Sequence, residues 1–141
     1  MNSHCLSIPG IRRLSYISTS YLSHDVTYRA DSGVQVLMTV LPTDISLKGE
    51  AVCEVERKFD NNSQQETAKL TFYTLDELPP HRHLAFVITD MQGNSFVVGA
   101  REAPFPIVRV TFTTGKPDGD ASVRKYEVSF TARKALATCT L

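Results

Sequence analysis

The residues of this chain that could do chemistry are few and scattered. His81 and His83 stand two apart in "HRH". On a strand they would share a face and could ligate a metal. They follow two prolines just before an apolar run and have no third ligand near them in sequence, so solvated loop histidines are the simpler reading. Asp118 and Asp120 flank Gly119 in "KPDGDAS". That is a fragment of a calcium loop, without the further oxygen ligands or the closing glutamate. Glu54 and Glu56 would share a strand face as a carboxylate pair does. They alternate with apolar residues, which is the pattern of a solvated outer face. Arg12 and Arg13 with Tyr16 make a small basic patch at most. No GxSxG elbow and no glycine-rich phosphate loop occurs. The sequence therefore predicts no catalytic residue, no metal site and no cofactor.

Three cysteines, Cys5, Cys53 and Cys139, lie far apart and form no CxxC pair. Neither a zinc site nor a disulfide framework is expected, which fits a reducing compartment. "MNSHCLSIPGIRR" lacks the apolar run of a signal peptide, and no stretch has the length of a membrane helix. Cytoplasmic synthesis without membrane insertion is the expectation.

Charge adds a second constraint. The 141 residues carry 15 basic and 15 acidic side chains, a formal net charge of zero. A protein gripping nucleic acid through its phosphates would show a basic surplus, so direct nucleic-acid binding is not expected. The balance is uneven along the chain. Residues 1–100 hold eight Lys/Arg against eleven Asp/Glu, and residues 101–141 hold seven against four. Such polarity suits copies that meet face to face in a head-to-tail manner.

The elements that must position these side chains are strands. "AVCEVERKF" sets Cys53, Val55, Arg57 and Phe59 on one face and Glu54, Glu56 and Lys58 on the other. "AKLTFYTL" alternates Ala68, Leu70 and Phe72 with polar partners, and "DNNSQQET" between the two runs reads as a polar turn segment, giving a long hairpin. "LAFVITD" is apolar on both faces, as a central strand covered on two sides must be. "MQGN" is its turn, with Gly93 free to take a positive φ. "SFVVGA" returns as the partner strand. Pro104 and Pro106 break the ladder because neither can donate. "IVRVTFTT" resumes with Val108, Val110 and Phe112 on one face. "RKYEVSFTARK" closes with Tyr126, Val128, Phe130 and Ala132 inward. "IRRLSYI" and "GVQVLMTV" are two further strands, "DVTYRA" is a weaker one, and "TLDELPP" carries the one short helical turn. Seven to nine strands in one domain spanning residues 1–141 predict a mainly β fold, a single-domain antiparallel β-sandwich or barrel with little helix.

Lys116, Asp118, Gly119 and Asp120 lie in the long loop between the last two strands and are the candidate assembly loop. The strands at 50–60 and 123–134 are long with charged outer faces. At a sheet edge either one would offer unpaired backbone groups to a neighbour.

The arrangement resembles a family of small virion proteins encoded by tailed bacteriophages and prophages of Bacteroidetes. Three stretches carry the resemblance: "SIPGIRRLSYIS" as an I-x-G-I-x-R-L-x-Y-I opening, "EVERKFDNNSQQETAKLTFYT" as an acidic strand with its return, and the stretch from "VITDMQGNSFVVG" to "YEVSFTAR" with its TD-x-x-G hairpin and Y-x-V-x-F final strand. The resemblance implies a structural role at the neck or tail, by self-association in a ring oligomer or by docking to other virion proteins. It implies residence in the host cytoplasm during assembly and in the virion afterwards, and it supplies no catalytic residues. The alternative is a β-sandwich binding module for a protein or carbohydrate partner, although no tryptophan is present to serve as a sugar platform.

Overall fold

A computed structural model describes residues 4–8, 10–22, 25–26, 29, 32–33, 35–38, 40–48, 51–60, 63–79, 83–102, 105–113 and 123–140. Strand makes up most of the described residues, so the fold is mainly β. Among the described residues eleven strands run in order: β1 His4–Ile8, β2 Ile11–Ser18, β3 Val36–Leu37, β4 Thr43–Asp44, β5 Val52–Asp60, β6 Ser63–Thr74, β7 Leu84–Asp90, β8 Ser95–Val98, β9 Ile107–Thr113, β10 Val123–Ala132 and β11 Ala137–Thr140. They form two sheets, β1-β5-β6-β10-β9 and β3-β11-β8-β7-β2-β4. Every pairing is antiparallel except β3 with β11. The sheets pack face to face without closing, so of the two expected architectures the structure is the sandwich. Among the described residues no helix is long and apolar enough to cross a membrane.

The expected central hairpin is present. β7 pairs with β8 on one side and β2 on the other. Its alternation feeds two separate cores. Leu84, Phe86 and Ile88 enter the core between the sheets with Leu14, Leu70, Phe72, Tyr126 and Val128. Ala85 and Val87 enter a second core on the sheet's outer side, where they pack with Leu22 and Val26 and with Ile17, Val36, Val97 and Cys139 of the same sheet. A strand apolar on both faces is thus buried on both faces, as its sequence requires.

The β7–β8 turn is held from one residue. Asp90 Oδ1 accepts from the backbone N–H of Gln92 and of Asn94, each at 2.9 Å. Gly93 takes φ +88° with nothing near the position of a side chain. β8 stops at Val98 rather than Ala100, because Gly99 turns the chain at φ +138°. A Cβ there would lie 2.8 Å from that of Ala85, so only glycine allows this close passage.

Three sequence expectations change. The polar segment 60–67 is mostly strand: Asp60 pairs with Ser63, leaving only residues 61–62 between β5 and β6. Where "DVTYRA" read as a weak strand, the Arg29 N–H donates to the Asp25 carbonyl at 2.8 Å, the spacing of a single helical turn. "TLDELPP", expected to hold a helical turn, is bend and extended chain over its described residues. There the Leu78 N–H donates to the Tyr126 hydroxyl, so a side chain takes the place of a helical partner.

Glu66 explains why the polar segment can be strand. Its carboxylate is 3% exposed. Oε2 accepts from Arg57 Nε at 2.8 Å across the hairpin, and Oε1 accepts from the Ala135 N–H at 3.0 Å. One buried acid thereby ties the β5–β6 hairpin to the corner after β10. Removing it would leave a buried donor and a half-buried guanidinium without partners. Glu66→Ala is expected to lower the unfolding free energy by about 3 kcal/mol, with a smaller loss for Glu66→Gln, which keeps an acceptor for Ala135. Urea titration measures both, and a loss below about 1 kcal/mol for Glu66→Ala would refute the role of this clamp.

Candidate functional site

Among the described residues, those singled out for chemistry do not converge. Glu54 and Glu56 are exposed on the outer face of β5, alternating with buried Cys53 and Val55. His83 is exposed just ahead of β7 and stacks on Phe105, ring centroids 3.9 Å apart. His81 lies outside the described residues, as do Lys116, Asp118, Gly119 and Asp120. Among the described residues no group of three His, Cys, Asp or Glu is placed to hold a cation. Cys53 and Cys139 are buried. Burial pushes the Cys53 thiol up to about 12, with the charge of Glu54 adding to the effect, and the Cys139 thiol up to about 11. Both remain protonated at neutral pH, the unreactive form.

The basic patch expected from Arg12, Arg13 and Tyr16 is divided by the fold. Register shifts between Ile11 and Arg13, a bulge that re-aims the strand. Tyr16 packs against the inner core. Arg13 is committed to Asp44 on β4: Nε to Oδ1 at 2.8 Å and Nη2 to Oδ2 at 2.9 Å, with the Ser15 hydroxyl also donating to Oδ1 at 2.8 Å. Arg12 stays exposed beside a polar cleft of about 700 Å³ with Gln35, Asn94, Ser95 and Thr138 on its walls.

The surface that stands out is the edge of the five-stranded sheet. Neither of the two long strands, β5 nor β10, lies at an edge. β5 is flanked by β1 and β6, and β10 by β6 and β9, because the short β1 and the Pro-preceded β9 add outside them. Among the described residues β9 is therefore an edge strand, with one side of its backbone facing no other strand. Val108, Val110 and Phe112 stand opposite Val128, Tyr126 and Arg124, which sets them on the inner face. The other sheet does not extend over them. Val110 and Phe112 remain 55% and 54% exposed, and Ile107 on the outer face 63%. A concavity of about 340 Å³ opens beside them, walled by Leu78, Pro79, Leu84 and Tyr126. Arg124 lies over the Phe112 ring, 5.0 Å from its centroid, and donates to the Leu75 carbonyl at 2.9 Å, which fixes the rim. The period-two pattern of "IVRVTFTT" gave the inner face correctly. It could not show that the face would lie beyond the opposing sheet.

The chain matches no family model, no curated protein and no solved structure.

The Arg13–Asp44 fork has a pH consequence. Hydrogen bonds from Arg13 first, and from Ser15 second, hold the Asp44 carboxyl below its ordinary 3.8. Its native pKa is depressed, so the stability it contributes is present above the unfolded value and is lost as pH falls through the native value. Both side chains are about half exposed, which keeps the effect small. Acid titration of stability in wild type and Asp44→Asn checks this. The variant is expected to be less stable at neutral pH and to lose less below pH 3.8, and parallel curves would refute the coupling.

Proposed function

We propose that this protein is a structural subunit that acts by self-association or by docking to neighbours, and that its assembly is the neck or tail of a phage or prophage virion. The observation that carries the assembly part is β9, an edge strand whose inner-face apolar side chains are left half exposed. Exposed apolar edges are blunted in proteins that stay monomeric, and they serve as pairing surfaces in proteins that do not.

The virion part rests on the motif resemblance, whose residues sit at places that define this fold. Gly10 turns the chain between β1 and β2 at φ +72° against Met91. Asp90 and Gly93 make the β7–β8 turn. Tyr126, Val128 and Phe130 are the inner face of β10. The subunit would be made in the host cytoplasm, join a ring of its own copies or bind other virion proteins, and leave in the particle. The alternative, a monomeric binding module, would use the polar cleft beside Arg12.

Analytical ultracentrifugation across a concentration series separates the two. Association is expected, and it should weaken as salt is raised, because the contacts are partly electrostatic. A strict monomer at every concentration would end the self-assembly version. Absence of the protein from purified particles by mass spectrometry would end the virion assignment.

A further inference from the structure

We infer that the subunit contact joins the β9 edge of one copy to the β1 edge of the next, continuing the five-stranded sheet in parallel, with Arg109 of one copy reaching Glu56 of the other. This rests on the assembly reading above and adds its occupant, register and charge pair.

The geometry begins with strand direction. Four antiparallel pairings separate β1 from β9, so both edges run the same way. Copies related by rotation about an axis along the strands would therefore bring β9 beside a parallel β1. That contact uses two different surfaces and so can close into a ring. Copies related by a twofold would instead set β9 against β9.

Side-chain pattern selects between these. In an antiparallel β9–β9 ladder centred on Val110, Arg109 of each copy becomes the diagonal neighbour of the other, about 7 Å away. Arg109 is the one charge on β9, so that arrangement opposes like charges. At the other edge the charge has the opposite sign. β1 pairs with β5 through Cys5 opposite Glu56 and Ser7 opposite Glu54. Glu54 and Glu56 are exposed on the outer face. Glu54 faces Lys69 across the next ladder, whereas Glu56 faces Thr67. Arg109 is also exposed on the outer face, opposite Glu127, which itself contacts Lys125 at 3.6 Å.

Placing Arg109 level with Cys5 of the next copy sets Arg109 and Glu56 two strand spacings apart, about 10 Å between backbones. An arginine and a glutamate extended toward each other cover that gap. The same register places Val110 beside Leu6 and Phe112 beside Ile8. In the β1–β5 ladder the backbone positions of Leu6 and Ile8 stand opposite the buried Val55 and Cys53. A single register thus matches apolar positions on the inner face and opposite charges on the outer face.

Charge reversal tests this on the full chain, since both side chains are exposed and neither touches a core. Arg109→Glu and Glu56→Arg should each weaken self-association about tenfold or more, and the double variant Arg109→Glu with Glu56→Arg should restore it. Circular dichroism confirms that each variant is folded. Wild-type association that ignores Glu56→Arg would overturn the β9–β1 contact while leaving self-assembly intact. A wild type that stays monomeric at all concentrations would overturn both.

Discussion

Burial of β7 on both of its faces is the constraint on which the rest of the structure depends. A strand whose side chains from Leu84 to Thr89 are all buried cannot sit on an ordinary two-layer sandwich, which leaves each sheet's outer face wet. The fold answers with a second core. Leu22, Val26 and Met38 pack on the outer side of the six-stranded sheet, where Ile17, Val36, Ala85, Val87 and Val97 supply the floor. Arg101 holds part of this cover in place by donating to the carbonyls of Ser20 and Leu22 at 2.7 and 3.0 Å. The chain leaves the sheet at Gly99, at the one point where its backbone must pass against Ala85.

How much of this was legible follows from the range of each interaction. β2, β5, β7, β9 and β10 declare themselves because alternation, or its absence in β7, is a local property of successive residues. The turn at Gly93 is equally local. β1, β4 and β11 are too brief for a period to register: "HCLSI", "TD" and "ATCT" become strands only because a neighbour supplies the ladder. Glu66 was hidden for a related reason. A glutamate in a polar stretch reads as turn, and its partners, Arg57 and the N–H of Ala135, lie 9 and 69 residues away. The fork of Arg13 on Asp44 spans 31 residues and was invisible in the same way. For the candidate site, the strand and its inner face were readable, but its position at an edge was not.

The charge asymmetry along the chain gains a spatial meaning from topology. β1 and β5 come from the acidic first part of the sequence, and β9 and β10 from the basic last part. The order β1-β5-β6-β10-β9 carries these two parts to opposite edges of one sheet. A gradient that in sequence is only a count becomes a gradient across a surface. In the proposed assembly this arrangement would let identical subunits attract one another at unlike faces while carrying no net charge.

The two sheets differ in how their edges are finished, and the difference points in one direction. The six-stranded sheet ends in β3 and β4, each two residues long, and β4 carries Asp44 bonded to Arg13 and Ser15. Short length and an engaged charge are what keep an edge from recruiting another strand. The five-stranded sheet ends in β1 and β9, five and seven residues long. β9 runs apolar along its inner side, with one arginine on its outer side and both prolines placed before it rather than within it. Proline inside the strand would have removed ladder donors, whereas proline before it leaves the ladder whole. Among the described residues, the edges of the six-stranded sheet are short, whereas no further strand flanks β1 or β9. If selection acted only on the stability of a monomer, the exposure of Val110 and Phe112 would be a burden with no return. In the proposed assembly a neighbouring copy would cover them.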